Sequence, residues 1–290
     1  MARYAAGRDY HNWMGKRLKR LARKLSDGGI AARTRTIVDA GPILERSHAA
    51  EAGLGFPSKA ANLLHPSHGP WFFLGEVLLD ADLEPTTQVP IGSCGTCTAC
   101  IDACPTQALL EPGVVDSNRC ISYHTIENRG PIPHELRPEV SNWAFGCDVC
   151  SEVCPWGARA ADTSSRWGTH TAIERLNLVD WLSTRSQEFP TQFQGSPLRR
   201  ARRAGLARNA ALGLARSPSE EGRSALLVAL NSDPSPVVRE SAFWALSRTF
   251  SEDSGVNHAL DRARAREADP WTATLMDLSR SGTFRNRREG

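Results

Sequence analysis

"CGTCTACIDACPTQAL", residues 94–109, sets four cysteines into eleven residues and closes the run with a proline. The spacing is C-x2-C-x2-C-x3-C-P, formed by Cys94, Cys97, Cys100, Cys104 and Pro105. Gaps of two residues let the backbone loop around one face of a cubane iron–sulfur cluster, and the fourth cysteine of such a run serves a second cluster. A partner set lies downstream. Cys120 is followed, after the insertion "ISYHTIENRGPIPHELRPEVSNWAFG", by Cys147, Cys150, Cys154 and Pro155, which keep the C-x2-C-x3-C-P ending. Crossed ligation assigns Cys94, Cys97, Cys100 and Cys154 to one 4Fe–4S cluster, and Cys120, Cys147, Cys150 and Cys104 to the other. All eight cysteines of the chain are then used.

Two other readings of the cysteines are weaker. Disulfides would need an oxidising compartment and, in a chain this long, would usually be spread along it; here no cysteine lies outside residues 94–154. Zinc ribbons favour paired C-x2-C knuckles over a triple run closed by C-x3-C-P. Two adjacent clusters relay single electrons, so something must receive them. A carrier alone would not need so long an insertion between its cysteines, and that insertion is expected to wrap the receiving cofactor beside the second cluster.

The chain has 290 residues, 40% of them hydrophobic, and a formal charge of +3. It can therefore build a packed core, and any nucleic-acid contact must come from local basic patches. Its first residues, "MARYAAGRDYHNWMGKRLKRL", lack the continuous apolar stretch of a secretory signal. "WFFLGEVLL" is far short of the roughly 20 apolar residues of a membrane span and contains Glu76. A cytoplasmic monomer is expected.

Residues 9–25 read as an amphipathic helix, with Met14, Leu18, Leu21 and Leu25 on one face and Lys16, Arg17, Lys19, Arg20, Arg23 and Lys24 around it. The basic face suits solvent or phosphate. Thr36, Ile37 and Val38 suggest a short strand ending at Asp39; "ILERSHAAEAGL" reads as a helix and "PWFFLGEVLLD" as a second strand. From about Thr171 the pattern turns helical, and "RNAALGLA" at 208–215 is echoed by "RESAFWAL" at 239–246. That echo, with "EEGRSALLVAL" and the breaker "NSDPSP" between the copies, suggests HEAT-like repeats. The tail "GTFRNRREG" should fray. The expected fold is mixed, α+β with α/β: a partial α/β layer over residues 1–90, a ferredoxin-like domain with two 4Fe–4S clusters over 91–165, and α-helical HEAT-like repeats over 171–280.

"YAAGRDYH", "VDAGPILER", "AGLGF", "GPWFFLGE", "CGTCTACIDACPTQAL", "RCISYHTIE", "FGCDVCSEVCPW" and "GSPLRRARRAGLARNAALGLA" occur in this order, and together they resemble epoxyqueuosine reductase from about Tyr4 to Ala215. The resemblance implies reduction of epoxyqueuosine to queuosine at the tRNA wobble position, the last step of queuosine biosynthesis, with electrons passing through two 4Fe–4S clusters to cobalamin. Residues 1–90 would then be the remnant of a cobalamin-binding domain. Asp39 matches the family's proton donor, a role that burial would help; on the residues alone, a helix cap after Gly41-Pro42 is the plainer reading. Ser122, Tyr123 and Asp148 match the stretch lining the cobalamin and the second cluster. Leu63 and Leu74 match apolar positions near the corrin, or plain core. Lys59 is a candidate tRNA contact or a solvated lysine. Arg199, Arg200, Arg202 and Arg203 form the densest basic cluster and are candidate phosphate contacts. His65, His68, His124 and His134 show no metal-ligand spacing.

The chain also departs from the family. It begins almost at "YAAGRDYH", so a preceding segment that contributes to the cobalamin cleft is expected to be missing. Ala6 replaces an arginine, and "AGLGFPSKAANLLHP" diverges around Phe56, Pro57 and His65. A ferredoxin-like electron-transfer protein or inactive truncated paralogue without cobalamin is therefore the alternative. Reductive dehalogenation fits less well, because it implies a twin-arginine signal and no tRNA-suited solenoid. A low-potential donor such as flavodoxin or ferredoxin is the expected electron source.

Overall fold

The computed structural model describes residues 1–85, 92–160, 168–174 and 177–281. The tail "GTFRNRREG" lies outside the described residues. Among those described, no helix is long and apolar enough to cross a membrane.

The first long helix runs Tyr10–Asp27. Asp9 caps it, its side chain accepting the backbone N–H of His11 at 3.0 Å, which satisfies one of the orphan donors of the first turn. The helix ends where the Gly28 N–H reaches the Lys24 carbonyl, with Gly29 at φ +71. Its Met14 and Leu18 lie over Gly75: a Cβ there would come within 2.9 Å of Met14 Cε and 2.8 Å of Leu18 Cδ1. A Cβ would push the ends of both side chains aside. The basic residues from Lys16 to Lys24 are exposed.

The layer differs from the α/β arrangement expected. Thr34–Ile37 pairs with Glu76–Leu79 antiparallel, from Thr34↔Leu79 to Ile37↔Glu76. A parallel neighbour would require the connection to carry the chain back to the start of the first strand. Here it returns beside the strand's end, after the helix Glu45–Glu51 and a small antiparallel ribbon, Phe56–Pro57 with Leu63–Leu64. The second strand is also shorter than "PWFFLGEVLLD", because residues 71–75 are irregular and carry Phe72, Phe73 and Leu74 to a cavity wall.

The cysteine region is built from single helical turns. Ala99–Asp102 and Val149–Glu152 pack together, and the hairpin Leu109–Glu111/Val114–Val115 lies beside the first. Beyond it the chain is helical: Leu178–Ser183, Arg202–Leu214, Glu220–Ser232, Pro236–Thr249, Ser254–Arg266 and Pro270–Ser281. "RNAALGLA" and "RESAFWAL" fall in helices that pack on each other, and Glu220–Ser232 packs on the second. Leu206, Ala210, Ala211, Val238, Phe243, Leu246 and Leu260 are nearly fully buried; each large side chain among them contributes about 1.5–3 kcal/mol.

The insertion after Cys120 joins this helical core. It forms a π-helical turn, Tyr123–Glu127, a 3-10 turn, His134–Leu136, and the short helix Arg137–Val140. Arg208, buried in Arg202–Leu214, donates to the carbonyls of Asn128 at 2.9 Å and Gly130 at 2.7 Å, and also to that of His124. Asn209 donates to the carbonyls of Thr125 at 2.8 Å and Ala144 at 3.0 Å. Arg137 forms a bidentate pair with Glu240 at 2.8 and 2.9 Å, with His134 3.2 Å from the same carboxylate. Buried carbonyls and charges need such partners, so these residues fix the insertion on the helices.

Candidate cluster sites and an acid-bearing pocket

The fold brings cysteines of the two runs together. In each half one helical turn carries one cysteine, Cys100 in Ala99–Asp102 and Cys150 in Val149–Glu152, and a proline follows the last cysteine of the run. Cys94, Cys97, Cys100 and the sequence-distant Cys154 line one cavity of about 130 Å³, with Cys150, Leu64, Pro70 and Trp156 also on its wall. The charges of Cys94 and Cys154 act on Cys100. In the other set, Cys120 acts on both Cys147 and Cys150, and Cys104 acts on Cys150. Cys150, which also feels Cys100, marks where the two sets meet. Burial, the largest cause in each case, pushes the Cys147 thiol up to about 12 and Cys150 to about 11. Cys97 is exposed.

Backbone amides also reach the sulfurs. The Ala108 N–H donates to Cys104 Sγ at 3.2 Å, and the Lys59 N–H to Cys94 Sγ at 3.5 Å. Lys59 Nζ donates to the Gly95 carbonyl at 2.8 Å. Lys59 thus stands against the first cysteine loop.

Asp39 occupies a second cavity, of about 360 Å³, with Tyr10, Glu45, Arg46, Phe72, Phe73 and Leu74 among its walls. It is not a helix cap; the helix Glu45–Glu51 starts after Leu44, and the Asp39 N–H donates to Glu45 Oε1 at 2.8 Å. Its φ of 47 places it in the left-handed region, a conformation that costs a non-glycine residue about 1–3 kcal/mol and is commonest at functional sites. Tyr10 donates its hydroxyl to Asp39 Oδ2 at 2.7 Å, and His11 Nε2 lies 3.8 Å from the same oxygen. Phe73 stacks on Tyr10 with ring centroids 4.3 Å apart. The burial expected of a carboxylic acid donor is not supplied by these residues, because the Asp39 side chain is 66% exposed. Burial first, then the Asp39 bond, raises the Tyr10 phenol above its usual range; burial likewise raises Glu45.

The chain that carries these two centres matches known proteins. Residues 93–157 match the 4Fe–4S double cluster binding domain. Residues 1–40 match the family described as epoxyqueuosine reductase QueG, DUF1730. Epoxyqueuosine reductase from Xanthomonas campestris pv. campestris is 41% identical over 249 residues, 86% of this chain and 70% of that protein. The chain belongs to the epoxyqueuosine reductase family. The Pseudomonas aeruginosa reductase is likewise 41% identical over 249 residues, covering 69% of that protein. A crystal structure of epoxyqueuosine reductase with a tRNA-Tyr epoxyqueuosine-modified stem loop superposes with a TM-score of 0.88 at 30% identity, over 97% of this chain and 74% of that one. The Bacillus subtilis reductase with its catalytic aspartate loop swung out of the active site gives 0.86 at 30% identity, over the same shares.

Against the reductase pattern, the other expected residues distribute as follows. Leu74 shares the Asp39 cavity; Leu63 is buried in the small ribbon, and neither cavity includes it. Ser122 exchanges hydrogen bonds with Cys147, accepting its N–H at 3.0 Å and donating to its carbonyl at 3.3 Å. Tyr123 opens the π-helical turn. Asp148 accepts the Arg3 N–H at 2.6 Å, and burial raises its carboxyl. Tyr4 feels both Asp39 and Asp148, so pocket and second cysteine set share one electrostatic neighbourhood.

The arginines divide. Arg203 is tied to Asp233 and to the Thr184 carbonyl at 3.0 Å, which makes it a structural pair. Arg200 bonds Glu127 at 2.9 Å, and its charge reaches Asp39, Tyr10 and His11. Arg199 and Arg202 are exposed. His65 and His68 stack on each other, and His124 is buried against the Asn118 carbonyl.

Sequence reasoning assigned no role to Tyr10, His11 or Glu45 beside Asp39, nor to Arg137, Arg208 and Glu240. The one available signal was a charged residue inside an otherwise apolar helical pattern, as in "RNAALGLA" and "RESAFWAL".

Proposed function

We propose that this chain reduces epoxyqueuosine to queuosine in the anticodon loop of tRNA, in the cytoplasm. The observation that carries the reading is Asp39, held in a strained loop on a cavity wall, with Tyr4 feeling both it and Asp148, the neighbour of Cys147. Net, the epoxide takes two electrons and two protons to give an alkene and water. Cys94, Cys97, Cys100 and Cys154 would hold one 4Fe–4S cluster, and Cys104, Cys120, Cys147 and Cys150 the other. Cys94, Cys97, Cys100 and the sequence-distant Cys154 on one cavity wall support this assignment. Ser122, Tyr123, Asp148, Asp39 and Leu74 would hold cobalamin beside the second set; when bound, the clusters supply single electrons and cobalamin the two-electron reducing centre.

The chain's own residues do the rest. Asp39 delivers a proton to the epoxide oxygen as its C–O bond breaks. Tyr10 fixes that carboxyl through its hydroxyl. The modified base must be splayed out to reach Asp39, and the flanking arginines Arg199, Arg200 and Arg202 bind the phosphates by counterion release. Residues 171–280 would act as HEAT-like repeats that carry this basic edge.

The test is anaerobic reconstitution with iron, sulfide and cobalamin, gel filtration, and incubation with epoxyqueuosine stem loop and a low-potential reductant, read by nucleoside mass spectrometry. About eight irons, co-eluting corrin and queuosine are expected. Clusters without corrin or product would favour the electron-transfer alternative.

A further inference from the structure

His11 is bracketed by two carboxylates. Its Nδ1 lies 2.8 Å from Asp9 Oδ1, and its Nε2 lies 3.8 Å from Asp39 Oδ2. An ionised carboxylate only accepts hydrogen bonds, so the contact with Asp9 fixes a proton on Nδ1. The neutral ring then has a bare Nε2, and the cation carries its second proton on the nitrogen that faces Asp39. We infer that Asp9 and His11 form a proton relay that recharges Asp39 between turnovers.

The need for such a relay follows from exposure. A general acid that gives up its proton at each turnover must regain one before the next, and the Asp39 side chain is 66% exposed, with no buried partner among the described residues to store one. A proton donor of that kind requires a resident proton beside it. The transfer is balanced without any further reagent: the Nε2–H bond of His11 breaks, an O–H bond forms on Asp39, and the neutral ring takes its next proton from water. His11 is 38% exposed, so water reaches it.

The surrounding charges favour the cation. Asp9 and Asp39 raise the imidazole above its ordinary value, the Asp9 hydrogen bond being the largest cause; burial and the Arg200 guanidinium oppose it. Asp9 itself is held down: burial alone would raise it, but its bonds from the His11 ring and N–H outweigh that, with Arg199 assisting. Tyr10 stacks on the imidazole with centroids 4.2 Å apart, and its hydroxyl holds the Asp39 oxygen that His11 faces. Arg200, which opposes the charge on His11, is itself paired with Glu127 at 2.9 Å.

The relay rests on the reduction reading, and two measurements separate them. In the wild-type protein, the His11 pKa read by NMR should lie above the ordinary imidazole value and fall in Asp9→Asn. Turnover of the epoxyqueuosine stem loop by His11→Ala should slow by tenfold or more, lose its alkaline limb in this range, and recover on adding imidazole. A purely structural histidine would show neither the limb nor the rescue. If the wild type makes queuosine and His11→Ala matches it at every pH, the relay is overturned and the reduction stands. If the wild type makes none, the reduction reading itself falls.

Discussion

The Arg137–Glu240 pair offers the sharpest test of how the insertion is held. Arg137 is 0% exposed and Glu240 1%, and their two hydrogen bonds measure 2.8 and 2.9 Å. Arg137 also donates to the Ile132 carbonyl at 2.9 Å. Removing one partner strands the other charge in the core, which costs about 3–5 kcal/mol. Replacing both with apolar residues removes the desolvation penalty together with the attraction and can be nearly neutral. Arg137→Met and Glu240→Leu should therefore each destabilise by about 4 kcal/mol, while the double variant recovers most of that loss. With each single variant costing about 4 kcal/mol and the double about 1, the implied coupling is about 7 kcal/mol, well beyond the few tenths typical of independent sites. Urea unfolding followed by tryptophan fluorescence reads the loss, with Trp244, 5.5 Å from the Arg137 guanidinium, among the eight tryptophans that contribute. The sign with pH is fixed too. Burial would raise the Glu240 carboxyl, but Arg137 and His134 outweigh it and hold it below its usual value. Its contribution is therefore present above the ordinary glutamate range and lost as pH falls through the lower folded value, so wild type and variants should converge in acid. Single-variant costs below about 1 kcal/mol, or strictly additive effects, would refute the reasoning.

Other outcomes follow from the sites. Asp39→Asn should abolish queuosine formation while iron content stays at about eight per chain; unchanged turnover would remove Asp39 from the chemistry. Cys154→Ser should cost the cluster held by Cys94, Cys97 and Cys100, and leave the signal of the set containing its near neighbour Cys150, as read by electron paramagnetic resonance. In cluster-free protein at pH 8, iodoacetamide should label exposed Cys97 well before Cys147, whose thiol burial holds up at about 12, with the Cys147 rate climbing about tenfold per pH unit. Arg199→Glu with Arg202→Glu should weaken stem-loop binding and flatten its salt dependence by about one unit per lost phosphate contact, whereas Arg203→Ala should lower stability through Asp233.

The cysteine arithmetic was legible in the linear sequence because ligand spacing is local: a C-x2-C-x2-C turn can face only one way, and Pro105 and Pro155 mark where each run leaves. The long helices were legible for the same reason, since apolar period acts within one or two turns. Strand pairing was not. The antiparallel match of Ile37 with Glu76 depends on how 38 intervening residues fold back, and no local signal encodes that return. The surroundings of Asp39 are likewise tertiary. Tyr10 and His11 come from a helix start, Glu45 from the next helix and Arg200 from the helical half, and only packing brings them to one carboxyl. Sequence alone thus showed the two cysteine runs, because their spacing is local, and left to the fold the meeting of the sequence-distant Cys154 with Cys94, Cys97 and Cys100. The folded structure decided where the acid sits and which protons and charges surround it, because those contacts join residues far apart in the chain.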